Sequence, residues 1–172
     1  SPQTVGDTRY VWTHWSDGGA ISHNVSPTSA MDYTAYFTTQ YQITVSTDPS
    51  GRDFSVDGTR YSSSQTFWWD SGSSHNIATT SPQTVGDTRY IWTHWSDGGA
   101  ISHNVSPTSA TSYTAFFDTQ YYLTVNSAHG SPTGEGWYDA GTVASFGVTS
   151  PDVVTPGQER WVFVSWTGSG AG

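Results

Sequence analysis

His14, Asp17 and His23 lie close together and recur as His94, Asp97 and His103. Imidazoles and a carboxylate so grouped can ligate a metal or relay protons. Their spacing supplies no set of four zinc ligands, and nothing near them resembles a nucleophile elbow. They read as structural or surface histidines, with His14 half-buried beside Tyr10 and Trp12. Asp48, Asp53 and Asp57 offer oxygens for calcium. However, Asp48-Pro49-Ser50-Gly51-Arg52-Asp53 lacks carboxylates at alternate positions, and turn chemistry accounts for it. No metal, no cofactor and no catalytic residue is expected, and the chain is read as a non-enzyme.

Two other groups suggest carbohydrate. Trp68-Trp69 and Trp137-Tyr138 are adjacent aromatic pairs. Neighbours on a strand face opposite ways, which turns one of each pair outward. Trp68, Trp69 and Trp137 are therefore candidates for stacking on a sugar ring, with core or junction packing as the competing reading. Asn24-Val25-Ser26 and Asn104-Val105-Ser106 are N-glycosylation sequons, so Asn24 and Asn104 are candidate glycan sites. Pro27 and Pro107 follow directly and reduce their use; glycans on the abundant Ser and Thr are an equal expectation.

The histidines, Asp17 and the sequon come in duplicate because the chain repeats itself. Residues 1–45 return as residues 81–125 with seven differences: Val11/Ile91, Met31/Thr111, Asp32/Ser112, Tyr36/Phe116, Thr38/Asp118, Gln42/Tyr122 and Ile43/Leu123. A catalyst needs one site in one geometry, whereas a repeat at fixed period marks an array of similar folding units. The duplication points to a spacer, stalk or fibre.

Composition narrows the partners. The chain has 172 residues, a net charge of −9, and neither Cys nor Lys. Disulfides, Schiff bases and lysine isopeptide staples are excluded. Five Arg against fourteen acids argue against nucleic acid and against an anionic membrane. No apolar run is long enough to span a bilayer. No signal peptide is evident, and the chain is read as a mature product or a fragment. The Ser/Thr-rich, lysine-free surface fits an extracellular or cell-surface setting.

The elements that must position these residues are short strands. Aromatics form 15% of the chain, each able to bury roughly 150–250 Å². Expected strands are 9–15, 21–26, 33–38, 41–45, 54–56 and 65–69, separated by turn signals such as Asp17-Gly18-Gly19 and Asp57-Gly58. No helical periodicity is found. The fold class is all-β: tandem small β-sandwich modules, immunoglobulin-like or β-grasp-like, with no significant helix. Tyr10, Trp12, Phe37, Ile43 and Phe67 are expected to close the cores, and Thr38-Thr39-Gln40 is the only candidate joint.

The tail is a diverged third copy. Residues 160–168, Arg-Trp-Val-Phe-Val-Ser-Trp-Thr-Gly, align with 89–97, and Tyr138-Asp139-Ala140-Gly141-Thr142 with Trp69-Asp70-Ser71-Gly72-Ser73. With Tyr121-Tyr122-Leu123-Thr124-Val125 before them, these motifs resemble the divergent internalin-B-type repeats of bacterial cell-surface and secreted proteins. That resemblance covers most of the chain. It implies extracellular, tandem, non-enzymatic modules, although this chain lacks the charged residues common in such repeats. In the family's frame, 1–38 is the C-terminal part of one module, 39–118 a complete module, and 119–172 the N-terminal part of a third.

Incomplete modules present unpaired edges, and such edges recruit strands. The expected function is a structural tandem-repeat protein of an extracellular filament, stalk or adhesin. Its partners would be neighbouring copies of itself, joined head to tail by strand complementation, together with covalent glycans; a longer covalent array of which this chain is one piece is an equal expectation. The alternative is a carbohydrate-binding module of a secreted enzyme.

Overall fold

The computed structural model describes residues 2–149, 152–155 and 159–168. The fold is all-β, with no helix among these residues. In chain order the strands are β1 (Gln3–Val5), β2 (Thr8–Trp15), β3 (Ala35–Asp48), β4 (Phe54–Val56), β5 (Thr59–Tyr61), β6 (Gln65–Asp70), β7 (His75–Thr79), β8 (Gln83–Val85), β9 (Thr88–Trp95), β10 (Ser102–Val105), β11 (Thr111–Leu123), β12 (Pro132–Thr133), β13 (Gly136–Asp139), β14 (Gly147–Val148), β15 (Asp152–Thr155) and β16 (Glu159–Trp161). Two compact units result. One is Ser1–Gln83 with Ile91–Phe117, and the other is Thr84–Tyr90 with Asp118–Gly172.

The first unit is organised by β3. Its 14 residues absorb two expected strands and the Thr38-Thr39-Gln40 segment between them. That segment is not a joint but strand interior: Thr38 opposes Val11, Thr39 opposes Tyr10 and Gln40 opposes Arg9. β-branched threonine suits an extended chain, and β2 supplies its backbone with partners. Gln40 and Tyr41 pair with both β2 and β6, whereas Ile43 to Val45 pair with both β6 and β11. A strand has two edges. β6 therefore lies along one, while β2 and then β11 follow each other along the other. The β11 pairing is parallel; the β2 and β6 pairings are antiparallel.

A second sheet runs in the order β10-β7-β4-β5. Its β4–β5 hairpin turns at Asp57 (φ 48°) and Gly58 (φ 79°), the left-handed pair that a two-residue turn demands. The core draws on both sheets: Ile43, Val45, Trp69, Trp95, Tyr113, Ala115 and Phe117 from the first, and Phe54, Val56, Ile77 and Val105 from the second. Trp69 stacks on His75 at 3.9 Å, and Tyr61 meets Phe67 edge-on at 5.8 Å. Of the residues expected to close the core, Ile43 does so fully. Tyr10 and Phe37 are instead exposed, with no described residue covering that part of the first copy.

The first copy departs from expectation again at 21–26, which forms no strand, although Ser102–Val105 does in the second copy. The physical reason is pairing: β10 lies beside β7, and residues 21–26 have no such neighbour among the described residues. β1 was absent from the expected strands. Gly6-Asp7 turns it onto β2, with Gly6 at φ 57°.

In the second unit, Gln120–Leu123 pairs antiparallel with β13, β12 with β14, and β15 with β16. The strand expected over the tail motif extends only to Trp161, and residues 162–168 form none. Phe146 and Phe163 gather on Trp166. Positions 150, 151, 156–158 and 169–172 of the expected third module lie outside the described residues.

Candidate functional site

The duplicated His/Asp group resolves into a turn lock. After β2 the chain reverses at Asp17-Gly18-Gly19, with Gly18 at φ 75°. Asp17 Oδ1 accepts the Gly19 N–H at 3.0 Å, and Oδ2 pairs with His23 Nε2 at 2.8 Å. His23 Nδ1 meets the Ala20 carbonyl at 2.8 Å. Asp97 and His103 repeat the arrangement at 3.1, 2.9 and 2.7 Å. The Gly19 N–H, then His23, hold the Asp17 carboxyl below its usual range, and Asp17, then the Ala20 carbonyl, raise His23. Burial pushes Asp97 up, but its bonds from His103 and the Gly99 N–H outweigh that and leave it lowered.

His14 does not join the group. The register of β2 slips between Trp12 and His14. This carries His14 out onto Tyr36, 4.6 Å away, exposed rather than half-buried beside Tyr10 and Trp12. His94 sits likewise on Phe116 at 4.7 Å. Asp53 pairs with Arg60, and Asp57 accepts from His75 and from the Asn76 N–H, so these carboxylates serve the β4–β5 hairpin. Asp57 is lowered mainly by its bond to His75. Among the described residues no three His, Cys, Asp or Glu side chains gather as a metal would require.

The tryptophans lead to a feature that residue types alone did not suggest. Trp69 is buried and has no face free for a sugar. Trp68 is half-buried, with the Arg9 guanidinium 4.8 Å over its ring. Arg9 also donates to Gln40 Oε1 at 2.7 Å, and Gln40 Nε2 donates to Asp70 Oδ1 at 2.7 Å. A chain of contacts Trp68–Arg9–Gln40–Asp70 thus crosses three strands.

The second unit contains its duplicate. Arg89 lies 4.6 Å over Trp137 and donates to Gln120 at 2.6 Å, while Gln120 donates to Asp139 at 2.6 Å. Backbone bonds match too: the Gln42 N–H to the Asp7 carbonyl and the Tyr122 N–H to the Asp87 carbonyl, both 2.9 Å. Trp137 also meets Tyr122 edge-on at 5.1 Å. The sequence signal was the Arg-to-Gln interval, 9 to 40 and 89 to 120, together with the aligned Asp70 and Asp139. Each guanidinium covers one face of a tryptophan that was a sugar-stacking candidate.

Asn24 and Asn104 are both exposed. Asn104 Oδ1 accepts from Asn76 at 3.0 Å. Comparison with family models, curated proteins and solved structures finds no match for this chain.

Proposed function

We infer that this chain is a structural tandem-repeat protein of an extracellular filament, stalk or adhesin. Its units are β modules of about 80 residues, and its partners are neighbouring copies of itself. One observation carries this reading. In the family frame, Arg9 belongs to the end of one module, while Gln40, Trp68 and Asp70 belong to the start of the next. The same four-residue arrangement recurs with Arg89, Gln120, Trp137 and Asp139.

A binding site needs its chemistry open to a ligand. Here one face of Trp68 and one face of Trp137 lie under a guanidinium, and the guanidiniums bond the amides at successive module boundaries. β3 runs through the first such boundary without a break. A continuous strand bends far less readily than a flexible linker and transmits alignment. The array therefore has stiffness as its product, and exposed Asn24 and Asn104 are open to covalent glycans.

Negative-stain imaging of the native material tests the reading, with elongated, stiff particles as the expected result. A glycan array tests its rival. Specific sugar binding lost on Trp68→Ala, with only compact particles in the images, overturns the structural role.

A further inference from the structure

We propose that the uncovered face of the first copy, built from Trp15, Ile21, Val25, Tyr33 and Phe37, is the docking site for residues 121–149 of a second copy of this chain. The inference rests on the array reading above and specifies its contact. The molecule itself displays the covered state. Trp95, Ile101, Val105, Tyr113 and Phe117 are the same residues in the duplicate. There, Ser102–Val105 pairs antiparallel with β7, Thr111 to Phe116 pair parallel with β3, and the Ile101 carbonyl accepts the Thr79 N–H.

In the first copy, residues 20–34 form no strand, and Trp15, Ile21, Ser22, His23, Val25 and Tyr33 line a cavity of about 290 Å³. Val25 is 44% exposed against 7% for Val105, and Phe37 41% against 7% for Phe117. Since these side chains are unchanged between copies, the difference is the cover.

The third repeat supplies a cover of the right pattern. Gln120 opposes Asp139 and Tyr121 opposes Tyr138, as Gln40 opposes Asp70 and Tyr41 opposes Trp69. Pro132 opposes Val148 as Phe54 opposes Thr79, which sets β12 and β14 in the places of β4 and β7. β7 carries β10 on its outer edge, whereas β14 pairs only with β12 among the described residues. Phe146 stands where Ile77 does. It is 47% exposed, with Trp166 against it, while Ile77 is fully buried. Among the described residues, one copy thus presents a face without its cover and another a strand edge without its neighbour. Docking orders residues 22–25 as a strand on β14, as Ser102–Val105 is ordered on β7, an instance of β-augmentation coupled to folding.

Register makes the test specific. Ser102 opposes Ala78, so Ser22 should oppose Gly147 of the second copy. Opposed strand residues approach closely enough for a disulfide, and the chain has no native cysteine. A side chain at Gly147 meets nothing nearer than Thr133 Oγ1 at 3.5 Å. Chains carrying Ser22→Cys are mixed with mass-tagged chains carrying Gly147→Cys, oxidised gently and resolved without reductant. The expected result is a mixed dimer forming roughly tenfold faster than from Ser102→Cys with Gly147→Cys. Ser102 has the same sequence around it, but its partner strand is already present.

Adding Val25→Asp should abolish the Ser22→Cys advantage while leaving the far-ultraviolet spectrum unchanged. Equal rates from Ser22→Cys and Ser102→Cys overturn the docking site, as does an advantage that survives Val25→Asp. Stiff particles without selective cross-linking overturn the docking and leave the array reading standing. Selective cross-linking with only compact particles does the reverse.

Discussion

The two copies of the 45-residue stretch separate what a sequence encodes locally from what it needs a neighbour to complete. Their turns agree almost atom for atom. The Gly18 N–H reaches the Trp15 carbonyl at 2.9 Å, and Gly98 reaches Trp95 at 2.9 Å. The Trp15 indole donates to the Ile21 carbonyl at 3.2 Å, and the Trp95 indole to Ile101 at 3.3 Å. Beyond the turn the copies part. Residues 100–114 contain β10 and the start of β11, while residues 20–34 contain no strand. A turn closes on its own side chains, but a strand needs a ladder partner and an apolar cover.

The sharpest way to break this comparison is at the tryptophans. Trp95 is fully buried beneath the covering strands, whereas Trp15 is only half-buried. Trp95→Ala should destabilise by about 3–5 kcal/mol, the cost of an unfilled core cavity. Trp15→Ala should cost roughly 1 kcal/mol, within the range of a partly exposed site. Denaturant unfolding of the two variants, at a dilution where copies are apart, checks this. Equal losses would mean that the first copy is covered in solution.

At the repeat boundaries the comparison should give equality instead. Arg9→Lys and Arg89→Lys each lose a stacked, hydrogen-bonded guanidinium that an ammonium cannot replace. Each should cost about 2 kcal/mol, from the loss of a cation–π contact and of a charge-assisted hydrogen bond. Unequal effects in thermal unfolding would show that the two boundaries are not interchangeable.

Much of this was legible in the chain, for physical reasons that also mark the limit. The Asp57-Gly58 hairpin and the alternation of Tyr41, Ile43 and Val45 are local, and both are realised. Gly6-Asp7 is an equally local hairpin signal, closing β1 onto β2. The Thr38-Thr39-Gln40 segment reads as a joint because it lies between Phe37 and Tyr41, in two separate expected strands. Its place inside β3 depends on pairing with residues far away in the chain. The contact of Arg9 with Trp68 and Gln40 is non-local as well, so only the repeated interval betrayed it. The failure at residues 21–26 teaches most, because an identical sequence yields a strand in one context and none in the other.

A smaller effect is expected at the glycines of the turn lock. A methyl group at Gly19 would run into the His23 ring, and one at Gly99 into the His103 ring. Gly19→Ala and Gly99→Ala should each displace the imidazole from its aspartate, with a smaller loss of stability than either arginine substitution. The loss of slow exchange at the residue-19 or residue-99 amide is the direct readout. Retained protection would mean that the Asp17 and Asp97 carboxylates hold the turn without help from histidine.

The smallest effect is titration of that lock, and its sign is fixed by the two partners. His23 is raised above 6.5, so its contribution is complete below 6.5 and fades as pH climbs through the raised value. Asp17 is lowered below 3.8, so its contribution is complete above 3.8 and fades as pH falls through the lowered value. The first-copy lock is therefore tightest between 3.8 and 6.5. Ring resonances of His23 followed by NMR should give a midpoint above 6.5 that returns toward 6.5 in Asp17→Asn. A wild-type midpoint at or below 6.5 would sink the lock. Because the turns agree between copies while the strands do not, Asp17→Asn should leave cross-linking between Ser22→Cys and Gly147→Cys chains selective. Its loss would tie the turn to the docking face and end the separation of local from borrowed structure.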